Sequence, residues 1–214
     1  CSPRGYVETT YSFRLRCLNG RWIEQAPNDT RIVASGFYPS TRVAKAVHLI
    51  RDPFDNVVSR FHLERRKSGS NGQGYPNSRD GFRSFCSDLN QQWHKYEIET
   101  TWLDPYLNNL TMSVPCRADF FRYVEWHNMA FVTTRDLDLD TYVLHYDWYS
   151  TRFNETLDEL LEFLELSRRA EPCEFESGKT YRDYFTLDEQ DRVQEAIQYM
   201  ASPLVWKQLS RYFV

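Results

Sequence analysis

The pattern of apolar and polar positions is sparse before residue 44 and informative after it. Over 1–43 no period is sustained; residues 6–16 have strand-like composition and 26–30 turn chemistry. Residues 44–50, Ala-Lys-Ala-Val-His-Leu-Ile, are a short β-branched and apolar run that reads as a buried strand, ended by Arg51-Asp52-Pro53. Asp52 suits a helix N-cap and Pro53 the first helical position, so a helix is expected at once. Phe54, Val57, Val58 and Phe61 recur at i, i+3, i+4 and i+7 and give that helix one apolar face. The tract 65–81 is rich in Gly, Ser and Asn and reads as a mobile loop, either a lid or an idle insertion. Helical spacing returns at Phe82, Phe85, Leu89 and Trp93, and after Pro115 at Phe120, Phe121, Val124 and Phe131. Residues 142–146 are the second clear strand. Asn154 fits the cap of a helix holding Leu157, Leu160, Leu161 and Leu164, and Thr186 with Glu189 forms a capping box before Val193, Ile197 and Met200. Ser202-Pro203 separates the last two helices. Strands alternating with helices imply a parallel sheet, so the pattern predicts one α/β domain over 1–214.

Composition narrows the partners. With 214 residues, 41% of them hydrophobic, the chain can bury one sizeable core. Its net charge of −4 argues against a nucleic-acid surface, so any bound anion must meet a local cluster of cations. No apolar run is long enough to span a bilayer, so no membrane contact is expected from this segment. The opening Cys1-Ser2-Pro3-Arg4 is neither an initiator methionine nor a signal peptide, which reads as a truncated or processed start with room for a membrane anchor upstream. The five cysteines, at 1, 17, 86, 116 and 173, match no zinc spacing and leave their pairing open; no metal is expected. Three Asn-x-Thr sequons, at Asn28, Asn109 and Asn154, suit the Golgi lumen or secretory pathway, with the cytoplasm as the alternative.

In an open parallel sheet, ligands sit beyond the carboxyl ends of the strands, where helix N-termini supply free N–H groups. Arg51 stands at such a place, and its guanidinium can hold a phosphate with two parallel hydrogen bonds. Ser59, two turns along the helix, can add a hydroxyl donor. The competing reading is that Arg51 pairs with Asp52 or Asp55 and Ser59 merely packs. Gly178-Lys179-Thr180 has the ending of a triphosphate P-loop, but Cys173 stands where that loop needs glycine and no strand feeds it.

Residues 47–60, Val-His-Leu-Ile-Arg-Asp-Pro-Phe-Asp-Asn-Val-Val-Ser-Arg, resemble the 3′-phosphate-binding motif of sulfotransferases that use 3′-phosphoadenosine 5′-phosphosulfate (PAPS). There an arginine ends a strand and a serine follows eight residues later. The resemblance implies that Arg51 and Ser59 hold the 3′-phosphate of PAPS, the co-substrate. Residues 118–126 are similar to the family's aromatic helix, and 142–147 to its next strand. The latter implies that Tyr146 contacts the adenine; a strand-end tyrosine packed on the core is the alternative. Residues 178–186 are similar to the family's late loop and imply Lys179 and Arg182 as further phosphate ligands, although Tyr181 stands where the family has tryptophan. The family's N-terminal Pro-Lys-x-Gly-Thr-Thr loop, which cradles the 5′-phosphosulfate, is absent.

The resemblance covers about residues 31–214 and implies a partial domain of three-layer, P-loop-like α/β fold: a parallel sheet flanked by helices, without its N-terminal strand and loop. The implied activity is in-line transfer of a sulfuryl group from PAPS to a hydroxyl or amine of a carbohydrate or other secreted acceptor, by positioning and charge stabilisation. No residue is assigned as catalytic. Phe37 or Tyr38 occupies the place of the family's histidine, and His48 and His62 read as structural. Two alternatives stand beside the enzyme: a catalytically inactive nucleotide-binding or interaction domain that keeps the 3′-phosphate site, and a kinase-like phosphotransferase. The second lacks a Walker lysine and paired metal-binding carboxylates.

Overall fold

Helix α1 (Pro53–Gly69) forms as its sequence dictates. In the computed structural model, residues 6–8, 14–18, 21–25, 45–69, 74–100, 104–172, 175 and 180–213 are described, with backbone only at 6–8, 14–18, 21–25, 67–69 and 94–100. Asp52 caps α1: its Oδ1 accepts from the N–H of Phe54 at 2.8 Å and of Asp55 at 3.2 Å. Phe54, Val57, Val58 and Phe61 are each at most 1% exposed, so the apolar face is fully buried, worth about 1.5–3 kcal/mol per side chain against exposure. Phe54 is the hub, with its ring centroid 5.6 Å from Phe120, 5.1 Å from Phe185 and 6.0 Å from Phe213.

The strand before α1 is β4 (Lys45–Ile50), which pairs in parallel with β5 (Asp140–His145) from Lys45↔Asp140 to Ile50↔His145. Between them the chain crosses over through α1, α2 (Arg79–Thr100), α3 (Pro105–Thr111) and α4 (Arg117–Asp136). After β5 come α5 (Trp148–Thr151), α6 (Phe153–Phe163), a 3-10 turn (Arg182–Tyr184), α7 (Leu187–Met200), α8 (Pro203–Leu209) and a last 3-10 turn (Ser210–Phe213). Upstream, β1 (Tyr6–Glu8), β2 (Arg14–Leu18) and β3 (Arg21–Gln25) make a separate antiparallel sheet.

The three-layer P-loop-like parallel sheet expected from the resemblance is therefore not formed. Helices dominate, and the parallel sheet among the described residues has two strands. Periodicity marks each strand but cannot say how many strands share one sheet. Strand 44–50 reads from its sequence as buried; β4 buries only its inward face, His48 and Ile50, while Val47 and Leu49 are 36% and 48% exposed. In the tract read as a loop over 65–81, α1 runs to Gly69 and α2 begins at Arg79. Gly81 is needed there, because a Cβ would run into the carbonyl of Pro76. Asn154 lies in the first turn of α6 rather than at its cap, which is Arg152.

Side-chain clamps tie the helices together. A disulfide joins buried Cys86 on α2 to Cys116 at the start of α4, 30 residues apart, and resolves one pairing that spacing left open. Arg83 reaches Glu189 with both Nη atoms, at 2.5 and 2.9 Å, and the Tyr184 carbonyl at 3.0 Å. Glu189 also completes the capping box with Thr186, as the sequence predicted. Asn128 spans the α7–α8 break, donating to the Met200 carbonyl at 2.9 Å and accepting from Ser202 N–H at 2.8 Å.

Candidate functional site

The carboxyl end of β4 is built by three neighbours. Tyr146 N–H donates to the Ile50 carbonyl at 2.8 Å, which carries the parallel ladder one step past β5. Tyr123 on α4 donates its hydroxyl to the Arg51 carbonyl at 2.6 Å and fixes the backbone there. The Arg51 guanidinium then lies over the Tyr146 ring, 4.7 Å from its centroid. Its Nε is buried without a hydrogen-bond partner among the described residues. Asp52 pairs with Arg182 rather than with Arg51, and Arg51 acts on Asp55 only electrostatically, helping to lower its carboxyl pKa.

Asp52 is occupied elsewhere. Its Oδ2 pairs with Arg182 Nη2 at 2.9 Å, while its Oδ1 caps α1, so the helix N-terminus expected to offer free N–H groups is closed by the chain's own carboxylate. Arg182 also donates to the Tyr212 carbonyl and lies over Phe54, 4.8 Å from its ring centroid, and Phe213, at 6.0 Å. These contacts make Arg182 an internal clamp between α1 and the C-terminal turn.

Asp55, Ser59 and His62 sit at i, i+4 and i+7 and share one face of α1. Asp55 accepts from Tyr181 N–H at 2.9 Å, and the His62 ring lies 5.2 Å from the Tyr181 ring, so half-buried Ser59 is held between two residues that both touch the 181–182 segment. Burial and the neighbouring Asp52 carboxylate push the Asp55 carboxyl up to about 6, against the pull of Tyr181 N–H, Arg51 and Arg182. Lys179, the remaining residue expected to bind phosphate, lies outside the described residues.

Of the five expected binding residues, the structure thus joins Arg51 to Tyr146 directly, brings Arg182 to the same turn through Asp52, and places Ser59 one helical turn beyond Asp55. Tyr146 borders Phe175 at 5.3 Å and Tyr149 at 6.4 Å, an aromatic edge that the sequence did not announce. Tyr123 and Tyr212 were also missed, since a single tyrosine in a helix carries no sign of the backbone it will meet 72 or 162 residues away.

Beneath the sheet lie three buried histidines, His48, His127 and His145. His145 Nδ1 is 2.8 Å from the Tyr212 hydroxyl, which in turn lies 3.2 Å from Asp147. Burial, with His48 and His145 nearby, lowers His127 to about 3. His48 and His145 are lowered as well, first of all by burial. All three are core groups, and no group of three or more His, Cys, Asp or Glu among the described residues could hold a metal ion.

The chain matches no protein-family model, no curated protein and no solved structure. With the helical fold, this removes the resemblance to PAPS-dependent sulfotransferases. The motif of strand, arginine, helix and serine is present, but the sheet core that gives the motif its meaning in that family is not. The sulfuryl-transfer activity, the inactive nucleotide-binding alternative and the P-loop-like description fall with it. The reason is physical: a strand, a proline-started helix and a serine two turns on satisfy local rules that many folds obey.

Proposed function

We propose that the Arg51 end of β4 binds the phosphate or sulfate group of a small-molecule ester, and that the domain is a binding domain for such ligands. One observation carries this reading. The guanidinium lies over the Tyr146 ring with its buried Nε–H unpaired among the described residues, while the carboxylate next to it in the chain, Asp52, is paired with Arg182. A buried, unpaired charged donor is costly, and an oxyanion is the partner that offsets it best. Ser59 would add a neutral donor from α1, and the Tyr146 ring face supports the guanidinium. Phosphate monoesters and sulfate esters, sulfated carbohydrates among them, carry the required group.

A secretory location such as the Golgi lumen is supported by the Cys86–Cys116 disulfide, because disulfides persist in oxidising compartments, and by the three sequons. No helix among the described residues is long and apolar enough to cross a membrane.

Calorimetric titration with adenosine 3′,5′-bisphosphate, against adenosine as the control lacking phosphate, tests the site. Selective binding of the bisphosphate is expected, weakened about tenfold or more by Arg51→Ala and less by Ser59→Ala, since a charged hydrogen bond is worth more than a neutral one. Equal affinity of a folded Arg51→Ala variant for the bisphosphate would sink the assignment.

A further inference from the structure

Thr156 is fully buried in α6, and its Oγ1 has no hydrogen-bond partner. Valine has the same shape without the polar atom, so a buried, unpaired hydroxyl is disfavoured against it. Helical threonines commonly satisfy the hydroxyl on the carbonyl one turn back. Thr111 does so to Leu107 at 2.7 Å and Thr134 to Ala130 at 3.1 Å. At Thr156 the Arg152 carbonyl receives only the backbone N–H, at 3.0 Å. Packing therefore gives no reason for threonine here.

The sequence gives one. Thr156 is the third residue of Asn154-Glu155-Thr156, and Asn154 is exposed in the first turn of α6. We propose that Asn154 carries an N-linked glycan, and that residue 156 keeps its hydroxyl because a glycosylating enzyme reads it on the extended chain before α6 folds. In that step the Asn154 side-chain nitrogen attacks the anomeric carbon of an oligosaccharide held on a lipid diphosphate. The carbon–nitrogen bond forms, the bond from that carbon to the diphosphate oxygen breaks, one amide proton passes to a base, and the lipid diphosphate departs. In the folded domain the glycan has room, because Asn154, Glu155, Asp158 and Glu159 all face solvent. Asn109-Leu110-Thr111 has the same spacing and an exposed asparagine, but its threonine hydroxyl is bonded, so folding alone accounts for Thr111.

The inference rests on the secretory location proposed above, and the experiment supplies that location so that the two can fail separately. Chain 1–214 is expressed behind a cleavable secretion leader in cultured animal cells, and lysate and medium are both treated with a peptide N-glycosidase in heavy-oxygen water. Peptide mass spectrometry of the wild-type protein is expected to show residue 154 converted to aspartate with the heavy label. Asn154→Gln and Thr156→Val should each lose one mobility step on gels, and Thr156→Ser should retain it. An unmodified Asn154 in the wild-type peptide from both fractions overturns the proposal, whatever the variants do. So does a lower melting temperature of bacterially made Thr156→Val, which would show that the hydroxyl serves the fold.

Discussion

Two arginines meet the first turn of α1 and are used in opposite ways. Arg182 is closed in: Asp52, the Tyr212 carbonyl and the faces of Phe54 and Phe213 account for it. Arg51 is open, resting on Tyr146 with its buried Nε unpaired. The same contrast extends outward. On the Arg182 side, Arg83 and Glu189 form a two-pronged pair, Glu189 doubles as part of a helix cap, and the disulfide ties α2 to α4. On the Arg51 side, under the sheet, His48 and His127 each leave a buried Nδ1 unpaired. Arg182 is used up by the fold, whereas at Arg51 the unpaired donor stands at a strand end, which is why the proposed ligand is placed there and not beside the core histidines. Both arginines sit beside the same aspartate, so only the route of the C-terminal turn makes them different.

The strongest way to break the closed side is Phe54→Ala, which removes the shelf beneath Arg182 and the hub of the aromatic cluster. The expected loss is about 3–5 kcal/mol in urea unfolding. A loss under about 1 kcal/mol, the range of a conservative swap, would mean that the cluster is not the centre of the core. Replacing Cys86 and Cys116 together by alanine should cost about 3–4 kcal/mol, from the entropy of a 30-residue loop released in the unfolded chain. That corresponds to roughly 10 °C in melting temperature for a domain of this size, with affinity at Arg51 unchanged.

The smallest effect separates the two sides by pH. His127 is held near 3 in the folded state against 6.5 when free, so above pH 6.5 it is neutral in both states and neither gains. Below pH 6.5 the unfolded chain binds a proton that the folded chain refuses, and stability falls. Asp55 and Asp119, both raised to about 6 chiefly by burial, act the other way: their cost is present above pH 6 and is relieved as pH falls toward 3.8. His127→Gln should therefore lose less stability than the wild type between pH 7 and 5, by about 2 kcal/mol in denaturant unfolding. Identical pH profiles for the two proteins would mean that His127 is protonated or solvated in the folded state.

Much of the local structure was legible. The cap at Asp52, the buried face of α1, the capping box at Thr186 and the break at Ser202-Pro203 all follow from spacing, because each is decided by atoms within one or two helical turns. Arg51 was marked for the same reason, as the residue between a strand and a capped helix. Arg182 was drawn to the same turn, but its contacts with Tyr212 and Phe213 were not legible, since nothing near it in sequence reveals either residue. Ser59 was placed on the right helix, yet the residue that defines its surroundings, Tyr181, is paired to Asp55 across 126 positions.

By itself the sequence determined most of the longer helices, the caps at Asp52 and Thr186 and the centres of two strands, read as 44–50 and 142–146, because hydrogen-bonding periods and end chemistry are short-range. Tertiary structure alone decided the number of strands in the sheet, the pairing of Cys86 with Cys116, and which of two arginines was left open. Those depend on contacts between residues far apart in the chain, and a local motif says nothing of what the rest of the chain will bring to meet it.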